Sequence, residues 1–423
     1  MIHDRCLFFV RLAWLPLAGA AGWLLAMVPV PAVADSSPQI DADFPGGNIV
    51  VQRIEDTEVY LHQDLRDTTG FWFYWYFRVR EAAGQTLNFH FTQGNVLGVR
   101  GPAVSTDGGK TWSWLGAAAM DGASFTYTFP ADAEEVRFCL AMPYVERDLK
   151  TFLARYADHP YLRIGALTQS RKGRDVEQLH VGRLDGTPDH RVLVACRHHA
   201  CESMASWSLE GMLEVILSDT PDGEWFRQHV EFLVFPFMDK DGVEDGDQGK
   251  NRAPYDHNRD YLGESIYPEV AALRRYVPEW SRGKLRLALD MHCPYIRGGG
   301  DRRGSNERVF FVGGPSEEGW EALTAFSQIL EEVRTGPLPY ERRHNLPYGE
   351  SWNTLKEPRS FGRWAAELPG IQFATTIEIP YANAGGEPVT PESVRALGRD
   401  LARAIRQYLM QPSTPQAPSQ GDS

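Results

Sequence analysis

Cysteine is scarce in this sequence: five in 423 residues, and one of them, Cys6, lies in the opening segment. The other four, Cys139, Cys196, Cys201 and Cys293, have a spacing that does not make a Cys-x-x-Cys zinc site. Positive charge is also short. Lys and Arg number 43 against 56 Asp and Glu, a formal net charge of -13, and this argues against nucleic acid or an anionic membrane surface as the main partner. It leaves the substrate open, because one basic pocket fits in an acidic protein. Beyond the first thirty-odd residues no run is long and apolar enough to span a bilayer. Internal repetition is missing as well. Ser105-Thr106-Asp107-Gly108-Gly109-Lys110-Thr111-Trp112 matches the "Asp box", but a propeller needs one box per blade and only one copy is present. That stretch is read as a hairpin loop, with Asp and Gly setting the turn and Trp112 pinning it to a core.

What is present is enough for a large folded protein. Apolar residues make up 43% of the chain, and 12 Trp, 16 Tyr and 21 Phe can build a substantial core in one large domain or two ordinary ones. Residues 1–34 read as a secretory signal peptide. Arg5 and Arg11 give a positive start, Leu12 to Val30 is mostly apolar, and Ala32-Val33-Ala34 is a small-x-small cleavage site. Pro16, Pro29 and Pro31 favour cleavage over an uncleaved membrane anchor. The mature chain is therefore expected to be exported, periplasmic or secreted, with no stable membrane insertion.

From about residue 43 to 150 the pattern is of short strands. Phe71 to Val79 is an aromatic run, Thr86 to Thr92 alternates, and Glu81 to Gln85 separates the two like a hairpin loop. Phe125 to Phe129 and Glu135 to Leu140 follow. The expectation is a small all-β antiparallel sandwich. From 155 to 410 strands alternate with helices, which predicts an α/β domain with helices flanking a mixed sheet. Val192 to Cys196, Phe232 to Phe235, Leu285 to Leu289 and Phe373 to Ile379 read as its strands. Ser203 to Leu217 reads as a helix, with Met204, Trp207, Gly211 and Val215 on one face. Another begins near Pro268. The last has Thr390 as cap, Pro391 at its first position and a stripe of Val394, Leu397, Leu401, Ile405 and Leu409. Residues 411–423 are rich in Pro, Ser and Gln and are expected to be disordered.

Four pieces carry chemistry. His199 and Glu202, in Arg197-His198-His199-Ala200-Cys201-Glu202, are three apart at the start of a helix and can converge on one metal ion. His292 ends the strand-like run Leu285 to Met291. Two His and one Glu are a catalytic zinc set that leaves a fourth position for water. Glu378 interrupts the otherwise apolar Thr375 to Pro380, and a general base beside a metal site would explain a carboxylate there. The loop Asp239 to Tyr261 is rich in Asp, Asn and Arg. It is not an EF-hand, because counting from Asp241 puts Val243 at position 3 and Arg252 at position 12. Singly, each piece has a plainer reading: a chance spacing, a satisfied buried histidine, an ion pair, a solvated turn. Their order and spacing together carry the case. Cys201 and Cys293 each sit beside a proposed ligand, so an exported chain can bring them together as a disulfide.

The set, in order, resembles the zinc metallocarboxypeptidases, most closely their cytosolic-carboxypeptidase branch. That family runs His-x-x-Glu, Asn-Pro-Asp-Gly-Val, an Asn-Arg pair, a third His and a catalytic Glu. The corresponding stretches are His199 to Glu202, Asp239-Lys240-Asp241-Gly242-Val243, Asn258-Arg259, Asp290-Met291-His292 and Ile377-Glu378. Ser203 to Trp207, ahead of Glu210-Gly211, resembles the helix after the zinc motif, and the sandwich resembles that branch's amino-terminal domain. The resemblance implies one zinc ion on His199, Glu202 and His292, with Glu378 as general base. It implies a substrate that is a peptide or protein carboxyl terminus, clamped by Asn258 and Arg259. Asp239-Lys240 departs from the family's Asn-Pro. The carbonyl-polarising cation is then Arg252, with Lys250 the weaker candidate, and Tyr348 or Tyr381 stands for the family's mobile Tyr. His198 takes a supporting role. The residue at the base of the side-chain pocket falls between His292 and Glu378. Two other functions compete. One is a zinc amidohydrolase of the aspartoacylase type, which shares His-x-x-Glu and a later His but lacks the sandwich and the Asp-Gly-Val loop. The other is a binding module on an inactive peptidase fold, which a complete catalytic set disfavours.

Overall fold

In the carboxyl-terminal region the alternation of side chains along one strand shows how the core is laid out. In the computed structural model, Val192, Val194 and Cys196 of the strand His190–Cys196 enter one apolar cluster, and Leu193 and Ala195 enter a second on the opposite face. A strand buried on both faces needs helices on both sides. The first cluster packs it against the helices Ser203–Ile216 (α1) and Pro391–Leu409. The second packs it against the helix Pro268–Ser281 (α2) and the short helix Phe361–Ala365 (α3). The structure describes residues 37–354, 357 and 359–411. The expected signal peptide, and the expected disordered tail beyond residue 411, lie outside the described residues.

The sheet has seven strands: β1 (Leu162–Gln169), β2 (Asp175–Gly182), β3 (His190–Cys196), β4 (Val230–Phe235), β5 (Leu285–His292), β6 (Phe310–Val312) and β7 (Phe373–Glu378). Their spatial order is β1-β2-β4-β3-β5-β7-β6. The pairs β3–β4, β3–β5 and β5–β7 are parallel, and the outer pairs are antiparallel, so the sheet is mixed as expected. The chain leaves β3 for β4 on one side and returns to β5 on the other. That reversal opens a crevice beyond the carboxyl ends of β3 and β5, where ligands bind in such sheets. The register His292↔Glu378 sets the ends of β5 and β7 side by side at this crevice.

The amino-terminal strands form two five-stranded sheets. Phe77, Phe89, Phe125 and Phe138 interlock between them, with ring centroids 4.7–5.6 Å apart. Three details differ from the sequence reading. Only Tyr76–Arg80 of the aromatic run is a strand; Phe71 to Trp75 is irregular, because the backbone of Tyr74 is bonded to the Gln248 side chain rather than to a neighbouring strand. Glu81 to Gln85 is not a hairpin loop, since the strands it joins, Tyr76–Arg80 and Thr86–Phe91, lie in different sheets. One pair, Glu58–His62 with Thr86–Phe91, is parallel. The Asp box is a hairpin between Ala103–Ser105 and Ser113–Trp114, and its Asp107 carboxylate accepts from the N–H groups of Lys110 and Thr111. The described residues pack as one compact unit, and a single apolar cluster runs from Phe77 of the sandwich to Met204 of α1. Among the described residues no helix is long and apolar enough to cross a membrane.

Candidate metal centre

The turn after β3 is set by Arg197, whose φ of +59° is rare for a residue with a side chain. Its guanidinium, buried, donates to Ala200 O at 3.1 Å and to Tyr144 O at 2.9 Å, which ties the turn down on both sides. His199 then faces the start of α1, where Glu202 is the residue just ahead of the helix. His292, the last residue of β5, comes in from the adjacent strand. His199 Nδ1 lies 2.9 Å from Glu202 Oε1 and 3.0 Å from His292 Nδ1, and His292 Nδ1 lies 2.6 Å from Glu202 Oε2. One donor atom from each falls within 4.8 Å of the others, and all three residues are buried. Two imidazole nitrogens and a carboxylate are the donor set of a catalytic zinc site.

Each imidazole has a carboxylate behind it. His292 Nε2 faces Asp290 Oδ2 at 2.7 Å, and His199 Nε2 faces Asp256 Oδ1 at 3.6 Å. Such outer carboxylates fix the tautomer and ring plane of a metal-bound histidine. A second set, His198, Asp290 and His292, is also close enough for a metal. There, however, His198 is closed on both sides, Nδ1 at 2.6 Å from Asp290 Oδ1 and Nε2 at 2.7 Å from Tyr261 OH. Asp290 thus buttresses two histidines, and His198 acts as a support. Burial opposes the charge on Glu202, but His199, His292 and Lys250 outweigh it and hold its carboxyl well below the usual range.

Glu378, at the end of β7, is buried, and its Oε2 has no hydrogen-bond partner among the described residues. Burial pushes its pKa up to about 7; the negative charge of Glu202 adds to the rise, while His292 and Lys250 oppose it. A carboxyl poised near neutrality beside a candidate metal site fits a proton acceptor.

The structure divides the two candidate cations. Lys250 Nζ lies 3.2 Å from His199 Nδ1 and 3.4 Å from Glu202 Oε1. Burial works against its ammonium, yet Glu202, Asp256 and Glu378 hold its pKa above the ordinary lysine value. Arg252, preferred from the sequence, turns the other way. Its guanidinium is held by Asp67 at 3.0 Å, Asp239 at 2.7 Å and Asp247 at 3.0 Å. Three carboxylates saturate its fork, so the cation at the ligands is Lys250.

Asn258 is buried and turned inward. Its Nδ2 donates to Asp290 Oδ2 at 3.1 Å and lies 3.1 Å from His292 Nε2, and its Oδ1 accepts from Phe361 N at 2.9 Å. Arg259 is exposed, with one donor on the Asn258 carbonyl at 2.9 Å. Tyr381 is buried against Phe73 and lies 3.6 Å from Cys201 Sγ. Tyr348 is half-buried under the Arg363 guanidinium, 4.5 Å away. Cys201 and Cys293 are both buried and unpaired, so the disulfide considered from sequence is not formed.

Arg363 gave no signal in the sequence. It lies on α3, which packs on β5 and β7. Its Nη1 is buried without a partner among the described residues, its Nη2 donates to Asn353 Oδ1 at 3.3 Å, and burial lowers its pKa. No carboxylate among the described residues pairs with it. An unmatched, partly buried arginine reads from a sequence like any surface arginine.

Comparison with known proteins bears on this geometry. Residues 40–140 match the cytosolic carboxypeptidase N-terminal domain, and residues 149–283 match the zinc carboxypeptidase domain. His292 and Glu378 lie beyond the matched span. Cytosolic carboxypeptidase 2 of Xenopus tropicalis is 30% identical over 312 residues, covering 69% of this chain and 31% of that one. The mouse protein of the same name is 32% identical over 147 residues, covering 33% of this chain and 17% of that one. This chain therefore spans less than a third of the length of either. An uncharacterized protein of Zymomonas mobilis is 27% identical over 266 residues, 60% of this chain and 67% of that one. In fold, the chain is similar to a metallo-carboxypeptidase from Burkholderia cenocepacia, with TM-score 0.72, 22% identity and coverage of 88% and 99%. A metallo-carboxypeptidase from Pseudomonas aeruginosa gives TM-score 0.70, 22% identity and the same coverage.

Proposed function

We propose, from the premise that this chain belongs to the zinc carboxypeptidase family in its cytosolic-carboxypeptidase form, that it is a zinc-dependent carboxypeptidase acting on peptide or protein carboxyl termini. The convergence of His199, Glu202 and His292 at the ends of β3 and β5 carries the reading, with the orphaned Glu378 carboxylate beside it. These three residues would hold one zinc ion, which when bound supplies Lewis-acid polarisation of the carbonyl and acidifies water. The remaining work falls to the chain. Glu378 accepts the proton of the attacking water and passes it to the leaving amine. Lys250 places a positive charge against the developing oxyanion. Asn258 holds His292 in place rather than contacting substrate. Arg259 is the exposed fork that would receive the terminal carboxylate.

Arg363 supports a preference for an acidic terminal side chain. It follows α3 from the Phe361–Asn258 contact, and its partner Asn353 bonds Gly313 O, next to Val312, which pairs with Thr376 on the strand that ends in Glu378. An unpaired guanidinium on this side of the crevice is matched by a carboxylate. Export rests on the leader pattern of residues 1–34 alone, and fractionation of the producing cell tests it.

The decisive test is release of carboxyl-terminal residues from a peptide library, with and without chelator. Chelator-sensitive, zinc-restored release of single residues is expected, with Asp and Glu termini ahead of basic ones. Cleavage of N-acyl amino acids in place of peptides would favour the amidohydrolase reading.

A further inference from the structure

Lys250 belongs to no helix or strand, yet its ammonium reaches the ligand cluster. The groups that hold its loop come from the amino-terminal domain. Asp67 lies in the irregular segment between the strands Glu58–His62 and Tyr76–Arg80. Its Oδ1 accepts from Gln248 N at 2.9 Å, and its Oδ2 accepts from Gly249 N at 2.8 Å and from Arg252 Nε at 3.0 Å. On the far side of Lys250, Thr69 donates twice to Asn251 O, from its N at 3.0 Å and its Oγ1 at 2.8 Å. The backbone is thus tied down immediately before and immediately after Lys250. Gln248, fully buried, spans to Tyr74 N, Tyr74 O and Asp64 O. Gly249 runs so close to the ligand turn that a Cβ there would stand 2.2 Å from Ala200 N. The Trp72 ring lies 5.1 Å from Lys250 Nζ, a cation–π distance.

We propose that the amino-terminal domain completes the catalytic apparatus, with Asp67 as the positioning residue that fixes Lys250. The inference rests on the reading of Lys250 as the polarising cation. A lysine carries its charge on a flexible four-carbon stem, so its placement depends on how firmly its backbone is held. A carboxylate that accepts from two consecutive N–H groups makes charge-assisted bonds to that backbone at both points. Removing its charge frees the loop while the ligands, in the turn after β3, just ahead of α1 and at the end of β5, keep their own supports.

The test uses the full chain loaded with zinc, in four forms: wild type, Asp67→Asn, Lys250→Ala and the double variant. For Asp67→Asn, kcat is expected to fall about 10- to 100-fold, the scale of a small misplacement of a catalytic group, with KM and bound zinc unchanged. Hydrogen exchange at the amides of Gln248 and Gly249 should accelerate while that of β5 does not. Added to Lys250→Ala, Asp67→Asn should cost nothing further. Wild-type kcat in Asp67→Asn, unchanged exchange at the two amides, or an additive loss in the double variant would each overturn the proposal. If Lys250→Ala keeps full kcat, the reading of Lys250 falls and the proposal with it. If only Asp67→Asn is without effect, the proposal falls alone. Should Asp67→Asn lose zinc or melt early, Thr69→Val, which keeps the N–H donor and removes the hydroxyl, is expected to lower kcat in the same direction and to a smaller extent. No change in that variant would overturn the proposal in turn.

Discussion

Two cations sit two residues apart on one loop, and the protein uses them in opposite ways. Lys250 points to His199 and Glu202, groups that a metal would occupy. Arg252 points to Asp67, Asp239 and Asp247, carboxylates whose remaining oxygens are met by backbone N–H groups and by Arg66. The first corner is left open to ligand, and the second is a closed cage that joins the amino-terminal domain to the catalytic loop. An arginine fork suits the cage because it satisfies several carboxylates at once, and a compact ammonium suits the open corner. Charge of the right sign near a motif therefore does not identify the catalytic cation; what its neighbours leave unsatisfied does.

Substitutions can break this comparison, and the largest effect should come from outside it. Glu378→Gln is expected to lower kcat by about 10³-fold or more while zinc stays bound, the upper range for loss of a general base. Steady-state kinetics with metal analysis checks this. Lys250→Ala should lower kcat by about 10²-fold or more, as for loss of an oxyanion donor, with little change in urea unfolding. Arg252→Ala should do the reverse. It removes the cation shared by three largely buried carboxylates, costing about 3–5 kcal/mol in urea unfolding, with any loss of kcat secondary to that. A large fall in kcat for Arg252→Ala at unchanged stability would overturn the division between the two corners. Arg363→Ala should reduce the preference for a terminal Glu over a terminal Leu by about 10-fold or more, the scale for removing one partner of a buried charge pair, without altering zinc content.

The smallest effect is on pH. Glu378 must be ionised to accept a proton, and burial raises its pKa to about 7, so activity rises with pH through its titration. A bound metal cation favours the carboxylate, which places the acid limb of kcat/KM below pH 7. Lys250→Ala removes a charge that also favours the carboxylate, and the limb should move upward. A downward move would contradict the electrostatic picture.

Much of the site was legible from residue order. The spacing of His199 and Glu202, the position of His292 at a strand end and the lone carboxylate in an apolar strand all depend on short-range periodicity, which sequence carries directly. Four of the seven strands, β3, β4, β5 and β7, and the helices α1 and α2 were legible for the same reason; β1, β2 and β6 were not. The break in the aromatic run at Tyr76 was not. Phe71 to Trp75 has every mark of a strand, but its polar backbone is satisfied by Gln248, which a local pattern cannot anticipate. The family resemblance of the Asn258-Arg259 pair implies a substrate contact for Asn258, whereas its amide is turned to Asp290, His292 and Phe361.

The sequence by itself determined the fold class and singled out the three candidate ligands and the candidate general base, because each depends on which residues end adjacent strands or begin a helix. Only the tertiary structure decided which cation faces the ligands, what holds it and where an unpaired arginine waits. Those outcomes turn on contacts such as Asp67 with Gln248, separated by 181 residues. Whether a buried charge is saturated or left open depends on every group that folding brings around it, and spacing along the chain does not record that.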